Sequence, residues 1–170
     1  MQSAPPPSSA PPQPAAPSRT GDLSARILEM FPSVKVDYTR ARRLKVTVPL
    51  ELMKDVALFV RDRLLFDHIG TVSGTDYMSK GEIEVVYFVG STKPEHQDLV
   101  MAIAERVKRD GPAVVPSLVG VWPGSEFHER ETYEMLGVRF EGHPDMRRIL
   151  LPEDWDDIPP LRKDYVSPGR

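Results

Sequence analysis

Apolar side chains recur along this chain at two periods, and the period followed by each stretch names its element. Leu23, Ile27 and Phe31 fall four residues apart, which predicts a short amphipathic helix over residues 22–31, stopped by Pro32. Val34, Val36 and Tyr38 alternate with charged residues, as do Leu44, Val46 and Val48, giving two short strands joined by a basic turn at residues 39–43. Pro49 opens a second helix, with Leu50, Met53, Ala57, Val60 and Leu64 on one face and Glu51, Lys54, Asp55, Arg61 and Asp62 on the other. Residues 66–77 are richer in turn formers around Ile69 and Val72. Residues 82–89 are a clear strand, with Ile83, Val85, Tyr87 and Val89 in step. Residues 97–109 fit both periods, since Leu99, Met101, Ile103, Glu105 and Val107 alternate while Leu99, Ile103 and Val107 also suit a helix. The succession of helix, two strands, helix and two or three strands predicts an α+β fold: a mainly antiparallel or mixed sheet covered by helices on one face.

The pattern changes at both ends. Residues 1–20 are almost entirely Pro, Ser, Ala and Gln, which predicts a disordered tail. Residues 21–140 make the α+β domain. Residues 125–137 form a further helix, with Ser125 capping its first turn, Glu126 favouring its positive end and Gly137 closing it in the left-handed conformation. From residue 141 to 170 the chain meets Pro144, Pro152, Pro159, Pro160 and Pro168, which leave little room for a helix or a central strand. This stretch still carries Ile149, Leu150, Leu151, Trp155, Ile158, Leu161 and Tyr165. Each would forgo roughly 1.5–3 kcal/mol of burial if left in water. An extended tail of this kind needs a surface, either a partner protein or its own domain.

Composition narrows the function classes. A net charge of −3 gives no footprint for nucleic acid. No apolar run approaches the roughly 20 residues of a membrane-spanning helix, so membrane contact would go through a partner. The absence of cysteine removes disulfides, thiolate zinc sites, a Cys nucleophile and Cys-ligated iron–sulfur clusters from this chain.

The most reactive-looking cluster is His128-Glu129-Arg130-Glu131. A zinc-protease helix would place a second His four residues after His128, and Thr132 stands there. Glu129 and Glu131, two apart on a helix, point about 200° from each other, so they do not converge on one bond. Glu126, Arg130 and Glu134 at successive four-residue steps suggest an ion ladder. With Phe127, Glu131, Glu134 and Val138 on one side and Tyr133 and Leu136 on the other, the helix has apolar residues on two faces and is expected to be enclosed, with Glu131 paired to an arginine. Gly142-His143-Pro144-Asp145 reads as a tight turn, with Asp145 accepting local hydrogen bonds. Trp122 reads as core or interface, and His68 and His96 as solvated or locally bonded.

Pro116-Ser117, Trp122-Pro123, His128-Glu129-Arg130-Glu131 with Tyr133, Met135 and Gly137, Gly142-His143-Pro144-Asp145, Arg147-Arg148-Ile149-Leu150, Pro152-Glu153-Asp154-Trp155 and Pro160-Leu161-Arg162-Lys163-Asp164-Tyr165 together resemble the C subunit of respiratory complex I, NADH:quinone oxidoreductase. Phe66-Asp67-His68, Thr75-Asp76-Tyr77 and Glu84-Val85-Val86-Tyr87 extend the likeness backwards, and it favours a strand at residues 99–109. Glu134 stands where the family often has Asp, and Leu136 where it usually has an aromatic.

The resemblance implies a structural subunit of the hydrophilic arm with no catalytic, cofactor-binding or metal-binding residue of its own. Its domain and tail would dock on the D-like subunit that lines the quinone site, near the iron–sulfur subunits, at the cytoplasmic or matrix face of the membrane. Iron–sulfur clusters and quinone belong to those partners, and the functional state is not a homo-oligomer. Relatives oxidise NADH, F420H2, ferredoxin or hydrogen. The rival reading outside the family is a stand-alone hydrolase using His128, Glu129 and Glu131.

Overall fold

The computed structural model describes residues 19–167. The expected α+β fold is present. Helix α1 (Arg19–Met30) leads into the antiparallel pair β1 (Lys35–Arg40) and β2 (Arg43–Thr47); a 3-10 turn at Leu50–Leu52 then opens α2 (Met53–Asp62). β3 (His68–Tyr77), β4 (Glu82–Gly90) and β5 (Val100–Lys108) complete a five-stranded sheet of order β1-β2-β5-β4-β3. The β2–β5 pairing is parallel and the other three are antiparallel. Residues that fit both periods thus form a strand, and the turn-rich stretch around Ile69 and Val72 is a ten-residue strand.

The core lies on one face of this sheet. Leu44 and Val46 from β2, Ile83, Val85 and Tyr87 from β4, and Met101 and Ile103 from β5 meet Leu23 and Ile27 of α1 and Met53, Val56, Ala57 and Val60 of α2. Apart from Val56, these are the positions selected by the two periods, because only one face of each element can be hidden from water.

The fold departs from expectation in two places. α1 begins at Arg19, which pairs with Asp98 at 2.6 Å, and the buried Thr20 donates its hydroxyl to the Arg40 carbonyl at 2.8 Å. The last two residues of the expected N-terminal tail therefore belong to the domain; the remainder of that tail lies outside the described residues. The second departure is a parallel pair, β6 (Val114–Pro116) with β7 (Arg139–Glu141), too short for its alternation to register in the sequence. Between them, a 3-10 turn at Pro123–Ser125 runs into α3 (Glu126–Leu136), which packs on β3. Gly74 of β3 permits that approach, since a Cβ there would run into Leu136 Cδ1.

Candidate functional site

Helix α3 is where most of the residues in the C-terminal signature converge, and its entry is fixed from below. The Trp122 indole N–H donates to the Phe66 carbonyl at 2.9 Å, locking the turn that precedes the helix. Ser125 does not cap the helix with its side chain. The preceding 3-10 turn already gives Glu126 N–H an acceptor in the Pro123 carbonyl, and Ser125 sits in the helical region with its hydroxyl turned inward to Glu129 Oε1 at 3.1 Å. At the other end Gly137 closes the helix at φ +76°, as expected.

The four residues of the charged cluster part company. Glu129 is completely buried, and its Oε1 also accepts from the Tyr87 hydroxyl at 3.0 Å and the Leu118 N–H at 2.9 Å. Burial raises the Glu129 carboxyl, and these hydrogen bonds pull it partly back. Glu131 is exposed and has no ion-pair partner among the described residues, so the expected pairing at this position is not formed. It follows Phe127 by one turn on the solvent-facing stripe of the helix. Glu129 and Glu131 thus open to different environments. The His128 carbonyl accepts from the Thr132 hydroxyl at 2.9 Å.

Arg130 and Glu134 hold the tail instead of each other. Arg130 Nε donates to the Arg147 carbonyl at 2.7 Å and its Nη2 to the Arg148 carbonyl at 3.3 Å. One turn later, Glu134 accepts from the backbone N–H groups of Ile149, of Leu150 at 2.8 Å and of Leu151 at 3.2 Å. The expected ladder of Glu126, Arg130 and Glu134 is therefore absent from the ion pairs of the described residues. Peptide groups of an irregular segment have no ladder of their own, and a buried carboxylate and guanidinium are suited to satisfy them.

The tail then crosses the end of α3 and reaches the sheet. A Cβ on Gly137 would come within 3.3 Å of both Pro159 and the Arg162 guanidinium. Leu161 N–H donates to the Met135 carbonyl at 2.9 Å and Arg162 Nε to the Leu136 carbonyl at 2.8 Å, satisfying carbonyls the helix leaves open and placing a cation at its negative end. Lys163 N–H donates to Asp76 Oδ2 at 2.8 Å, while Arg109, held by Asp76 at 2.9 Å, reaches Asp164 at 2.5 Å. Burial works to raise the Asp76 carboxyl, but Arg109 and the Lys163 N–H together bring it below its ordinary value.

The intervening loop is fastened in the same way. His143 Nδ1 accepts from the Asp145 N–H at 3.0 Å, so its Nε2 carries the proton donated to the Glu126 carbonyl at 3.1 Å. Gly142, at φ +83°, provides the expected turn ahead of Pro144. Asp145 accepts from Arg147 at 2.7 Å, and this guanidinium holds the carboxyl down to about 2. Arg148 Nη1 donates to the carbonyls of Pro152 at 3.1 Å and Glu153 at 3.0 Å. Trp155 lies 6.0 Å from Tyr165, ring to ring, and Tyr133 lines a recess of about 510 Å³ with Arg130, Arg147, Arg148 and Glu153.

Parts of the tail's backbone are consequently turned inward, while several of its apolar side chains face outward and Met146, Leu151, Trp155 and Tyr165 are half-buried. Leu150 is 58% exposed, Leu161 59% and Val166 72%; Ile149 and Ile158 are also exposed, and Phe127 of α3 is 61% exposed. Wrapping its own domain gives partners to peptide groups at residues 147–151, 161 and 163 and leaves these apolar groups uncovered.

Two elements of this arrangement escaped the sequence. The Asp76–Arg109–Asp164 clamp joins residues with no common spacing. Glu105 is wholly buried beside Glu129, with no hydrogen-bond partner for either oxygen; burial and the neighbouring Glu129 charge raise its carboxyl well above the ordinary range. A signal for it existed, since it occupies an inward position in the alternation of β5.

Residues 46–170 match the family described as respiratory-chain NADH dehydrogenase, 30 Kd subunit. The chain is 44% identical over 114 residues to the NADH-quinone oxidoreductase C subunit of Chlorobium phaeobacteroides, covering 65% of this chain and 66% of that one. It is 37% identical over 123 residues to the F(420)H(2) dehydrogenase C subunit of Methanosarcina mazei, covering 72% and 75%. Against the NADH-quinone oxidoreductase C/D subunit of Phocaeicola vulgatus it is 36% identical over 121 residues, 71% of this chain but 22% of that one. A chain in the structure of the membrane-bound sulfane sulfur reductase, an archaeal respiratory membrane complex, superposes with a TM-score of 0.73 and 26% identity over 85% of this chain and 84% of its own.

Proposed function

Since the chain belongs to the respiratory-chain NADH dehydrogenase 30 Kd subunit family, we propose that it is a cofactor-free structural subunit in the hydrophilic arm of a quinone-reducing respiratory complex. The observation that carries this reading is the inverted tail, fastened by its backbone and charges while Leu150, Leu161, Val166 and Phe127 face outward. Apolar side chains held rigidly at a surface, with their ordering cost already met within the domain, are what a docking face requires.

The proposed partner is the D-like subunit that lines the quinone site. The relative whose name joins C and D supports it, because a single chain bearing both names keeps the two parts together. The chain acts by geometry, keeping its neighbours' iron–sulfur clusters and quinone site in register. No helix of the described residues is long and apolar enough to cross a membrane, so the proposed location at the cytoplasmic or matrix face depends on the assembly. The similarity to a subunit of an F(420)H(2) dehydrogenase supports an alternative donor class within the same scaffold role.

The test is mild-detergent purification of the tagged chain from its native membrane, with and without Leu150→Ser and Leu161→Ser. The unaltered chain is expected to bring a D-like subunit and iron-containing subunits, and the donor-oxidising module recovered with them identifies the donor. The variant should stay folded and lose the D-like subunit. Undiminished recovery from the variant would overturn the tail as the docking face. A chain that purifies alone, with bound metal or hydrolytic turnover, would favour the hydrolase reading.

A further inference from the structure

The sheet has a second face, and one end of it is strongly basic. Opposite the helices, Val86 and Phe88 of β4 and Ala102 and Ala104 of β5 form a small apolar cluster that no helix residue joins. Where this face meets the β1–β2 hairpin there is a recess of about 260 Å³ lined by Tyr38, Arg43, Leu44, Phe88, Val100 and Ala102. Tyr38 and Phe88 are half-buried there, as walls rather than projections.

The charge around the recess is unbalanced. Arg19 and Arg42 share one carboxylate, Asp98, at 2.6 and 3.8 Å. Arg40 and Arg43 are exposed and have no acidic partner among the described residues. The Arg40 guanidinium lies 5.2 Å from the Tyr38 ring centroid, a stacking that holds its planar fork ready for a carboxylate. Further along the face, Lys45 and Arg106 are already neutralised by Glu84, at 2.9 and 3.0 Å, so the surplus is confined to the recess end.

We infer that this recess is a second docking surface, taking an acidic segment of a partner protein that inserts one apolar side chain between Tyr38 and Phe88 and sets a carboxylate on Arg40 and Arg43. A bilayer surface is the poorer match, because it would draw on apolar side chains that project and on a larger group of cations. The surface shares no residue with the tail and stands independently of the docking proposed above.

The test places a photo-crosslinking benzoylphenylalanine at position 38 of the full chain in the complex isolated from native membrane, with a second probe at position 150 as a control. The expected result is labelling from position 38 of an Asp- or Glu-bearing segment of another subunit. Its yield should fall about tenfold or more with Arg40→Glu and Arg43→Glu together, while labelling from position 150 is unchanged. Labelling confined to residues 1–18 of the same chain or to lipid would overturn the inference, as would a yield indifferent to the charge reversal. Silence at position 38 with labelling at 150 would overturn this inference alone; silence at both would overturn this inference and the tail-docking reading together.

Discussion

The sheet domain and the C-terminal tail solve the same problem in opposite ways. In the domain, backbone groups pair along strands and helices, and the apolar side chains of β2, β4 and β5 are free to fill one core. In the tail, irregular backbone has no such ladder. Its peptide groups are taken up by Arg130, Glu134 and Asp76, while Leu150, Leu161 and Val166 remain in water. The contrast shows that a segment can be firmly placed without a core of its own, provided a neighbouring helix supplies charged side chains to its backbone. Such a segment is ordered yet keeps its hydrophobic surface available.

The largest expected effect is in the domain. Ile103→Ala deletes atoms from a fully buried position between β2 and β4 and should cost about 2–5 kcal/mol of global stability, measured by urea denaturation. A loss within experimental error would dissolve the distinction between core and tail.

Glu134→Ala should come next, removing the acceptor of three backbone N–H groups at a cost of about 1–3 kcal/mol. Amide exchange should accelerate at residues 149–151 while the sheet stays protected; equal acceleration in the sheet would mean that the tail is part of the domain's cooperative unit.

The smallest effect probes the exception within the core, Glu105. Its carboxyl is raised on folding, so the folded state retains a proton that the unfolded state releases. The stability tied to that proton is complete below the unfolded-state pKa, about 4.3, and is lost as pH rises towards the folded-state value. Tyr87 and Glu129 face the same site and remain in both proteins. Glu105→Gln should therefore flatten the decline in stability as pH rises above the unfolded-state pKa; parallel profiles would show that Glu105 is not held neutral.

Most of the domain was legible because burial of one face writes its period into the sequence, as in Ile83, Val85 and Tyr87. β3 was faint because Gly74 must remain small beneath Leu136, and Thr71, Ser73 and Thr75 occupy positions without an apolar demand. Residues 97–109 needed the family likeness because their apolar positions fit both periods. The site was legible as a set of residues and misread as a set of contacts. Arg130 and Glu134 have the spacing of an intrahelical pair, and spacing along one helix carries no record of a tail arriving from residues 147–151. Apolar residues on two faces of the helix predict an enclosed, paired Glu131, whereas the tail covers Glu134 and leaves Glu131 open. Arg109, Asp76 and Asp164 meet only through the fold.

The clamp also has a place in time. Asp76 and Arg109 belong to strand β3 and the end of the sheet, while Lys163 and Asp164, which they hold, are synthesised after every strand and helix of the domain. At roughly 5–20 residues per second, on the order of seconds of translation separate the end of α3 from Asp164. The receptor for the tail is thus made before the tail itself, and the outward apolar face takes shape only on a domain that already stands to receive it.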